Sequence, residues 1–318
     1  MILLNLILAL LFLLVLIRCA GYSIRYSSRL AKILHFPEFI ISFCIIALIS
    51  VFPEATISIM SAFRGQPELG LGTLLGSNVA DLTLVFGIVA LFSSKGIKVK
   101  SKILKNNYLY LILLLFPLIL GFDGNLSRID GIILVGLGII FFAIIYSERE
   151  KFHKKINPNK RYHFFKNLFL LIFSLTILLL SSFLTVKYAV NFAYDIKLPV
   201  ILIGITILAL GTCLPELIFS IRAVKKNHDG LALGDILGTV ITDSTIILGI
   251  VALISPFEYN PYNMYMTGGS MVLAGIVTTM FMKSDREISK KEGILLIFVY
   301  IAFVFAEFMI NNAFVKCW

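Results

Sequence analysis

Four carboxylates stand inside apolar runs of this chain: Glu54, Asp81, Glu216 and Asp243. They form two pairs with one spacing, since 27 positions separate Glu54 from Asp81 and 27 separate Glu216 from Asp243. Each glutamate follows a proline, in Ser50-Val51-Phe52-Pro53-Glu54 and in Gly211-Thr212-Cys213-Leu214-Pro215-Glu216. Each aspartate follows a glycine-spaced stretch, Gly72-Thr73-Leu74-Leu75-Gly76-Ser77 or Gly234-Asp235-Ile236-Leu237-Gly238-Thr239. An unpaired carboxylate at membrane depth costs at least ~2.5 kcal/mol, so such acids are paired, protonated or bound to a cation. Few basic residues lie at matching depth, and the simplest neutraliser is a metal ion, with protons when the metal is absent. The neighbouring candidate ligands are all oxygens: the hydroxyls of Ser50, Ser77, Thr212 and Thr239, and backbone carbonyls. Proline lacks an N–H and frees the carbonyl four residues back, so distortion at Pro53 and Pro215 would expose carbonyls such as those of Ala47, Ser50, Ala209 and Thr212. An all-oxygen, flexible cage suits Ca²⁺ better than Mg²⁺.

The elements that carry these residues are membrane helices. The 318-residue chain is 59% hydrophobic and only 14% charged, against about a quarter charged in a soluble domain. Its apolar runs read as ten spans, roughly 1–18, 37–62, 69–94, 107–122, 130–147, 165–187, 198–222, 231–255, 264–283 and 292–312. Of the 28 Lys and Arg residues, 23 fall in alternate connecting segments, 18–36, 95–106, 148–166, 222–230 and 283–291. Those segments face the cytoplasm by the positive-inside rule, which puts both termini outside. The net charge of +10 is then loop charge, and it does not call for a nucleic-acid partner. The four cysteines show no paired spacing, which argues against a disulfide framework or a zinc site.

With ten spans, the helix carrying Glu54 and the helix carrying Glu216 cross in opposite senses. The matched positions are offset by 162 residues throughout, as Glu54 is from Glu216. Without a gap, Pro53, Glu54, Ser58, Gly72, Gly76, Asp81, Thr83 and Gly87 meet Pro215, Glu216, Ser220, Gly234, Gly238, Asp243, Thr245 and Gly249. The expected fold is an all-α membrane protein of ten transmembrane helices in two inverted five-helix repeats. Residues 1–147 form the first repeat, 148–164 a basic cytoplasmic linker and 165–318 the second. Inverted repeats with broken polar helices place a transport site near the midplane.

These motifs resemble those of the cation/calcium antiporter superfamily, most closely the prokaryotic sodium/calcium exchangers. That family carries G-T-S-L-P-E and G-N-x-x-G-S, with Asn or Asp five positions after the latter. The second copy matches at Gly211, Thr212, Leu214, Pro215, Glu216, Gly234, Gly238 and Asp243; the first matches at Pro53, Glu54, Gly72, Gly76, Ser77 and Asp81. The resemblance implies Ca²⁺ exchange by alternating access in a multi-pass cell-membrane protein. It also implies that Glu54 and Glu216 hold Ca²⁺ with the carbonyls of Ser50 and Thr212. The chain departs from the pattern at Ile49, Val51, Cys213, Thr73 and Asp235, and Asp81 stands where such exchangers often carry Asn. Val51 and Cys213 each remove a hydroxyl beside a glutamate. Na⁺ remains the first expectation for the counter-ion, with H⁺ and a K⁺-dependent variant as alternatives.

The expected partners are therefore Ca²⁺, a monovalent cation and the bilayer; no cofactor is called for, and a monomer suffices. An intramembrane aspartyl protease is a poor alternative. Tyr194-Asp195 and Leu233-Gly234-Asp235 only faintly resemble its aspartates, and Ala232 stands where its first glycine belongs. A cation channel would use the same acids but has no need of inverted Pro-Glu pairs.

Overall fold

The computed structural model describes residues 2–34, 38–63, 65, 67–99, 108–147, 161–195, 209–259, 264–284 and 286–315. The protein is an all-α, multi-pass membrane bundle. Among the described residues, six helices are long and apolar enough to cross a membrane, or seven if the pair broken at Val51 is one span. Most of the expected linker, and the start of the span expected at 198–222, lie outside the described residues. The chain divides into two units that each draw on both sequence repeats: Met1–Pro53 with Phe142–Thr239, and Glu54–Phe141 with Val240–Trp318.

In the first unit, α1 (Ile2–Leu34) pairs antiparallel with α7 (Arg161–Asp195). Asn5 Nδ2 donates to Asp195 Oδ2 at 2.7 Å, Phe12 stacks on Tyr188, and the Ser23 and Ser174 hydroxyls meet at 2.9 Å. Leu16, Cys19, Ala20 and Leu178 form the apolar centre of the contact, with Ile218 of α9 (Leu214–Lys225) against it. Phe169, Phe173 and Phe183 stay exposed, as residues turned to lipid tails do. Both helices outrun the expected spans. No proline interrupts 18–34, and Ser23, Ser27 and Ser28 are buried, so the basic segment after the first span continues as helix. Lys226 Nζ donates to the Gly21 carbonyl at its flank.

Also in this unit, α2 (Glu38–Ser50) packs on the first part of α10, Asp229–Ile241. Glycine is required here: a Cβ on Gly234 would lie 2.5 Å from the Phe39 carbonyl oxygen, and one on Gly238 would lie 2.5 Å from Ala47 Cβ. Small residues let backbones approach when lipid supplies no hydrophobic drive between helices. At the helix ends, Glu38 Oε1 receives the Ser28 hydroxyl at 3.0 Å and lies 2.8 Å from His228 Nδ1.

The second unit holds α3 (Phe52–Phe63, from Glu54 on), α4 (Pro67–Ala80, continued by Asp81–Val85 and Phe86–Phe92), α5 (Tyr108–Leu120) and the main part of α6 (Arg128–Ser147). It also holds the rest of α10 (Thr242–Ile247 and Leu248–Ile254), then α11 (Met264–Gly268 and Gly269–Ser284) and α12 (Lys290–Val315). The duplication is written into its contacts. A Cβ on Gly87 would meet the Gly293 carbonyl oxygen at 2.6 Å and Ile297; one on Gly249 would meet the Gly131 carbonyl oxygen at 2.8 Å and Val135. These two crossings are mates at the 162 offset. So are the helix starts, where Ser127 N–H donates to Asp130 Oδ2 (2.9 Å) and Ser289 N–H to Glu292 Oε2 (2.7 Å), each a capping box. Two short antiparallel ribbons tie loops together: β1 (Ile97–Lys98) with β4 (Glu287–Ile288), and β2 (Asn125–Leu126) with β3 (Phe257–Glu258).

Candidate functional site

Both Pro-Glu stretches fall at helix breaks. Helix α2 stops at Ser50, and Val51 (φ −64°, ψ −7°) donates its N–H to the Ala47 carbonyl before α3 begins at Phe52. Helix α8 (Ala209–Thr212) stops before Cys213 (φ −82°, ψ 4°), and α9 begins at Leu214. Val51 and Cys213 are mates at the repeat offset, each two residues before its proline. The missing proline N–H prevents a regular ladder from running through, which is the physical reason for a break here. Each glutamate thus lies in the first turn of the following helix, where the helix dipole favours negative charge.

Both aspartates lie in π turns, Asp81 as the first residue of Asp81–Val85 and Asp243 as the second of Thr242–Ile247. In α4 the Phe86 N–H reaches back five residues to the Asp81 carbonyl, and in α10 the Leu248 N–H reaches back five to Asp243. A matched threonine contributes in each. The Thr83 hydroxyl donates to the Val79 carbonyl and the Thr245 hydroxyl to that of Ile241, four residues back. Such back-bonding competes with the backbone ladder and bends helices. π turns of this kind recur at functional sites.

The second unit gathers three of the four acids. Glu54, Asp81 and Asp243 are all buried, and Asp243 lies close enough to Glu54 and Asp81 for their charges to act on it. Neither carboxylate oxygen of Asp243 reaches a hydrogen-bond partner among the described residues. Ser77 lies beside Asp243 while its hydroxyl donates to the Leu74 carbonyl at 3.1 Å, so the oxygen keeps lone pairs to offer. Tyr110 of α5 is buried near Asp81 with its hydroxyl unmatched among the described residues. Asn78 donates to Met271 Sδ at 3.4 Å. Asp243, buried and repelled by two neighbouring carboxylates, makes an attractive place for a cation.

The first unit holds Glu216, Ser50, Thr212 and Thr239 with the Ala47 carbonyl. Glu216 is fully buried and Thr212 half-buried. The Ser50 hydroxyl donates to Asp235 Oδ1 at 2.9 Å and lies 3.2 Å from Thr239 Oγ1 and 3.3 Å from the Ala47 carbonyl oxygen. With one proton to give, Ser50 spends it on the carboxylate, the shorter and charge-assisted bond. Ala209 begins α8. No three His, Cys, Asp or Glu side chains among the described residues converge enough to hold a metal ion by themselves. A cation in either unit would therefore draw on hydroxyl and carbonyl oxygens as well.

The expected residues thus fall into two sets. Glu54, Asp81, Asp243 and Ser77 belong together in one unit, and Ser50, Thr239 and Ala47 in the other, which also contains Thr212 and Glu216. Sequence reasoning passed over Asp235, Ser220 and Tyr110. Asp235 stood out only as a departure from an asparagine and as a faint protease-like aspartate, and Ser220 only as the repeat mate of Ser58. Nothing in the spacing marks Tyr110.

Buried acids on broken and π-turned helices of a multi-pass bundle define a membrane ion transporter, not an enzyme. The chain belongs to the sodium/calcium exchanger protein family, whose model matches it twice, over residues 4–147 and 166–309. Both ends of the second match follow the first by the same 162 positions that separate Glu54 from Glu216. The chain is 26% identical to the sodium/calcium exchanger MaX1 of Methanosarcina acetivorans, over 98% of this chain and all of that protein. It is 30% identical to the putative antiporter CaxA of Alkalimonas amylolytica, over 93% of this chain and 96% of that one. Its structure resembles that of the sodium-calcium exchanger NCX_Mj soaked with Na⁺ and Sr²⁺, with a TM-score of 0.84 and 28% identity over 96% of this chain and 99% of that one.

Proposed function

We propose that the chain is a secondary active antiporter that exchanges Ca²⁺ for Na⁺ across the cell membrane by alternating access. The observation that carries this reading is the buried trio Glu54, Asp81 and Asp243, close enough for the charges of the first two to act on the third, in a chain of the sodium/calcium exchanger family. Three carboxylates acting on one another in a dry interior call for a divalent cation or for protons, and alternation between the two fillings is the chemistry of exchange.

The proposed cation ligands are Glu54, Asp81, Asp243 and Ser77 in one unit, and in the other Glu216, oxygens of Ser50, Thr212 and Thr239, and the carbonyls of Ala47 and Ala209. Its frame is ten spans in two inverted five-helix repeats, 1–147 and 165–318, joined by the 148–164 linker, with both termini outside. In support of that topology, β1 and β4 pair two loops that the charge count puts inside, and β2 and β3 pair two that it puts outside. A monomer suffices for this reading.

The deciding experiment is radiolabelled Ca²⁺ uptake into proteoliposomes under an imposed Na⁺ gradient, then a pH gradient, then neither. Uptake driven by Na⁺ supports the proposal. Uptake driven only by pH overturns the counter-ion in favour of H⁺, and no uptake under any gradient overturns Ca²⁺ as cargo. The second reading, H⁺ coupling, is favoured by one observation: Asp81 adds an acid where exchangers of this type often carry Asn, while Val51 and Cys213 withhold hydroxyls.

A further inference from the structure

Helix α1 continues for about four turns past residue 18, where its apolar run ends, and the extension has two unlike faces. Ser23, Ile24, Ser27, Ser28, Leu30 and Ala31 are buried. The four basic residues of segment 18–36, Arg18, Arg25, Arg29 and Lys32, are all exposed, and so is Tyr22 among them. From Arg18 to Lys32 the steps are four, three, four and three residues, which puts all five side chains within about 80° of one helix face. Toward the N-terminus the same face carries Leu4, Ile7, Leu11 and Leu14, exposed as residues turned to lipid tails are. The stripe thus turns from apolar to basic in the single turn from Leu14 to Arg18. Arg18, Arg25 and Arg29 meet no carboxylate among the described residues, whereas Lys32 acts on the charge of Glu38. From the end of α9, Lys226 adds an exposed ammonium at the level of Gly21.

We propose that this stripe is a docking surface for the anionic headgroups of membrane phospholipids. Charge that only fixes topology needs no particular face. Here every basic residue of the segment continues the face that meets the lipid tails, a continuity that a soluble acidic partner would not require. Depth then sets the roles. One edge of the hydrocarbon falls near Arg18, and each headgroup layer is about 5–8 Å deep. At 1.5 Å per residue, Arg25 lies about 10 Å beyond Arg18 along the helix and Lys32 about 21 Å. Arg18 and Arg25 reach headgroup phosphates directly, because long basic side chains bend along their stems toward the charge they seek. A guanidinium fork matches phosphate oxygens in pairs. Arg29 and Lys32 act through the surface field, which fades over about 8–10 Å at physiological salt. Tyr22 lies between Arg18 and Arg25, at the level where amphipathic rings collect. The repeat does not copy the stripe: the mates of Arg18, Arg25, Arg29 and Lys32 at the 162 offset are Leu180, Lys187, Asn191 and Tyr194. An inverted copy would face the other leaflet, and it holds one cation in place of four. The charge count makes the docked leaflet the cytoplasmic one, whose anionic lipids attract basic segments beside a membrane helix.

The proposal goes beyond antiport and does not rest on it; only the choice of leaflet rests on the charge count. The full-length protein, with Trp318→Phe to remove its one tryptophan, is reconstituted in phosphatidylcholine bilayers whose leaflets are alike. Leu14→Trp sets an indole at tail depth one turn before Arg18, and Leu4→Trp sets one on the same face toward the other leaflet. A minor share of phosphatidylglycerol, or of phosphatidylcholine, brominated on its chains then quenches each indole by contact. At Leu14→Trp the anionic lipid is expected to be favoured about five-fold, which is about 1 kcal/mol, the contribution of one basic residue at a leaflet surface. At Leu4→Trp the two lipids are expected to quench alike. Adding Arg25→Gln with Arg29→Gln is expected to bring the preference at Leu14→Trp below about two-fold. Salt of about 1 M, which screens charge within about 3 Å, is expected to do the same. Equal quenching by the two lipids at Leu14→Trp overturns the proposal and leaves the stripe to a soluble acidic partner. The same preference at Leu4→Trp also overturns it, since net charge and not the stripe would be the cause. A preference that survives the two arginine substitutions overturns it as well. If that double variant fails to fold, survival of the preference in about 1 M salt overturns it instead.

Discussion

Gly238→Ala tests whether close approach of α2 and α10 holds the contact between Ser50 and Thr239. The added Cβ would lie 2.5 Å from Ala47 Cβ and 3.1 Å from the Phe43 carbonyl oxygen. Carbon atoms prefer about 3.5–4.0 Å, so the helices must part by roughly 1 Å, and neither neighbour is the end of a flexible side chain. Overpacking of this kind costs about 1–3 kcal/mol, which places the apparent Tm several degrees below that of the parent. Thr239 follows Gly238 directly, and its hydroxyl lies 3.2 Å from Ser50. A 1 Å separation breaks that contact, so Na⁺ dependence should weaken along with stability. Gly136→Ala in α6 is the control: a Cβ there meets no described atom within 4 Å, and alanine gains up to about 1 kcal/mol of helix propensity. The measurements are thermal unfolding of the detergent-purified variants and the Na⁺ concentration that half-drives Ca²⁺ uptake in vesicles. Equal Tm values for Gly238→Ala and Gly136→Ala, with unchanged Na⁺ dependence, would refute the reasoning.

Glu54→Gln and Glu216→Gln should each abolish Ca²⁺ exchange in proteoliposomes while the protein still purifies as a folded species; transport retained by either variant removes that glutamate from the site. Val51→Ser should strengthen Na⁺ dependence by restoring a hydroxyl at the α2 break, and an unaltered Na⁺ response would count against the missing-ligand argument. Tyr259 donates its hydroxyl to the Gly121 carbonyl at 2.6 Å, and burial first, then Asp123, Tyr265 and Asp130, hold the phenol above its ordinary pKa. The folded state therefore favours the protonated phenol, so its contribution is full below about pH 10 and is lost as pH rises beyond that. Tyr259→Phe should cost about 1 kcal/mol at neutral pH and flatten the alkaline decline of stability; an identical decline in both proteins would show that Tyr259 does not report on pH.

Much of the site could be read from the chain because its parts are local. A proline breaks its own helix, so Val51 and Cys213 were foreseeable as hinge positions from Pro53 and Pro215 alone. The repeat was legible to Gly249 through glycine and acid matches, but the structure carries it further, to the mated capping boxes at Ser127 and Ser289 and the mated crossings Gly87–Gly293 and Gly131–Gly249. Those were hidden because each glycine is explained by a partner far along the chain. Hydropathy ended the first span near residue 18, whereas α1 continues to Leu34. Tertiary burial of Ser23, Ser27 and Ser28 decides that, and no window average contains it. Asp235 was visible as an odd residue but not as a partner of Ser50, since the two are 185 positions apart.

The π turns carry one more consequence. A helix that gains a single residue without lengthening its path accommodates it as one turn of i→i+5 bonding, so a π turn is the mark an insertion leaves. The turns at Asp81–Val85 and Thr242–Ile247 occupy the same place in both halves, each with its aspartate and its back-bonded threonine. Two independent insertions at one position, with the same companions, are a costlier history than one. The shared place of the two turns is simplest to explain if the kinked helix and its acid came before the doubling that the two family matches record.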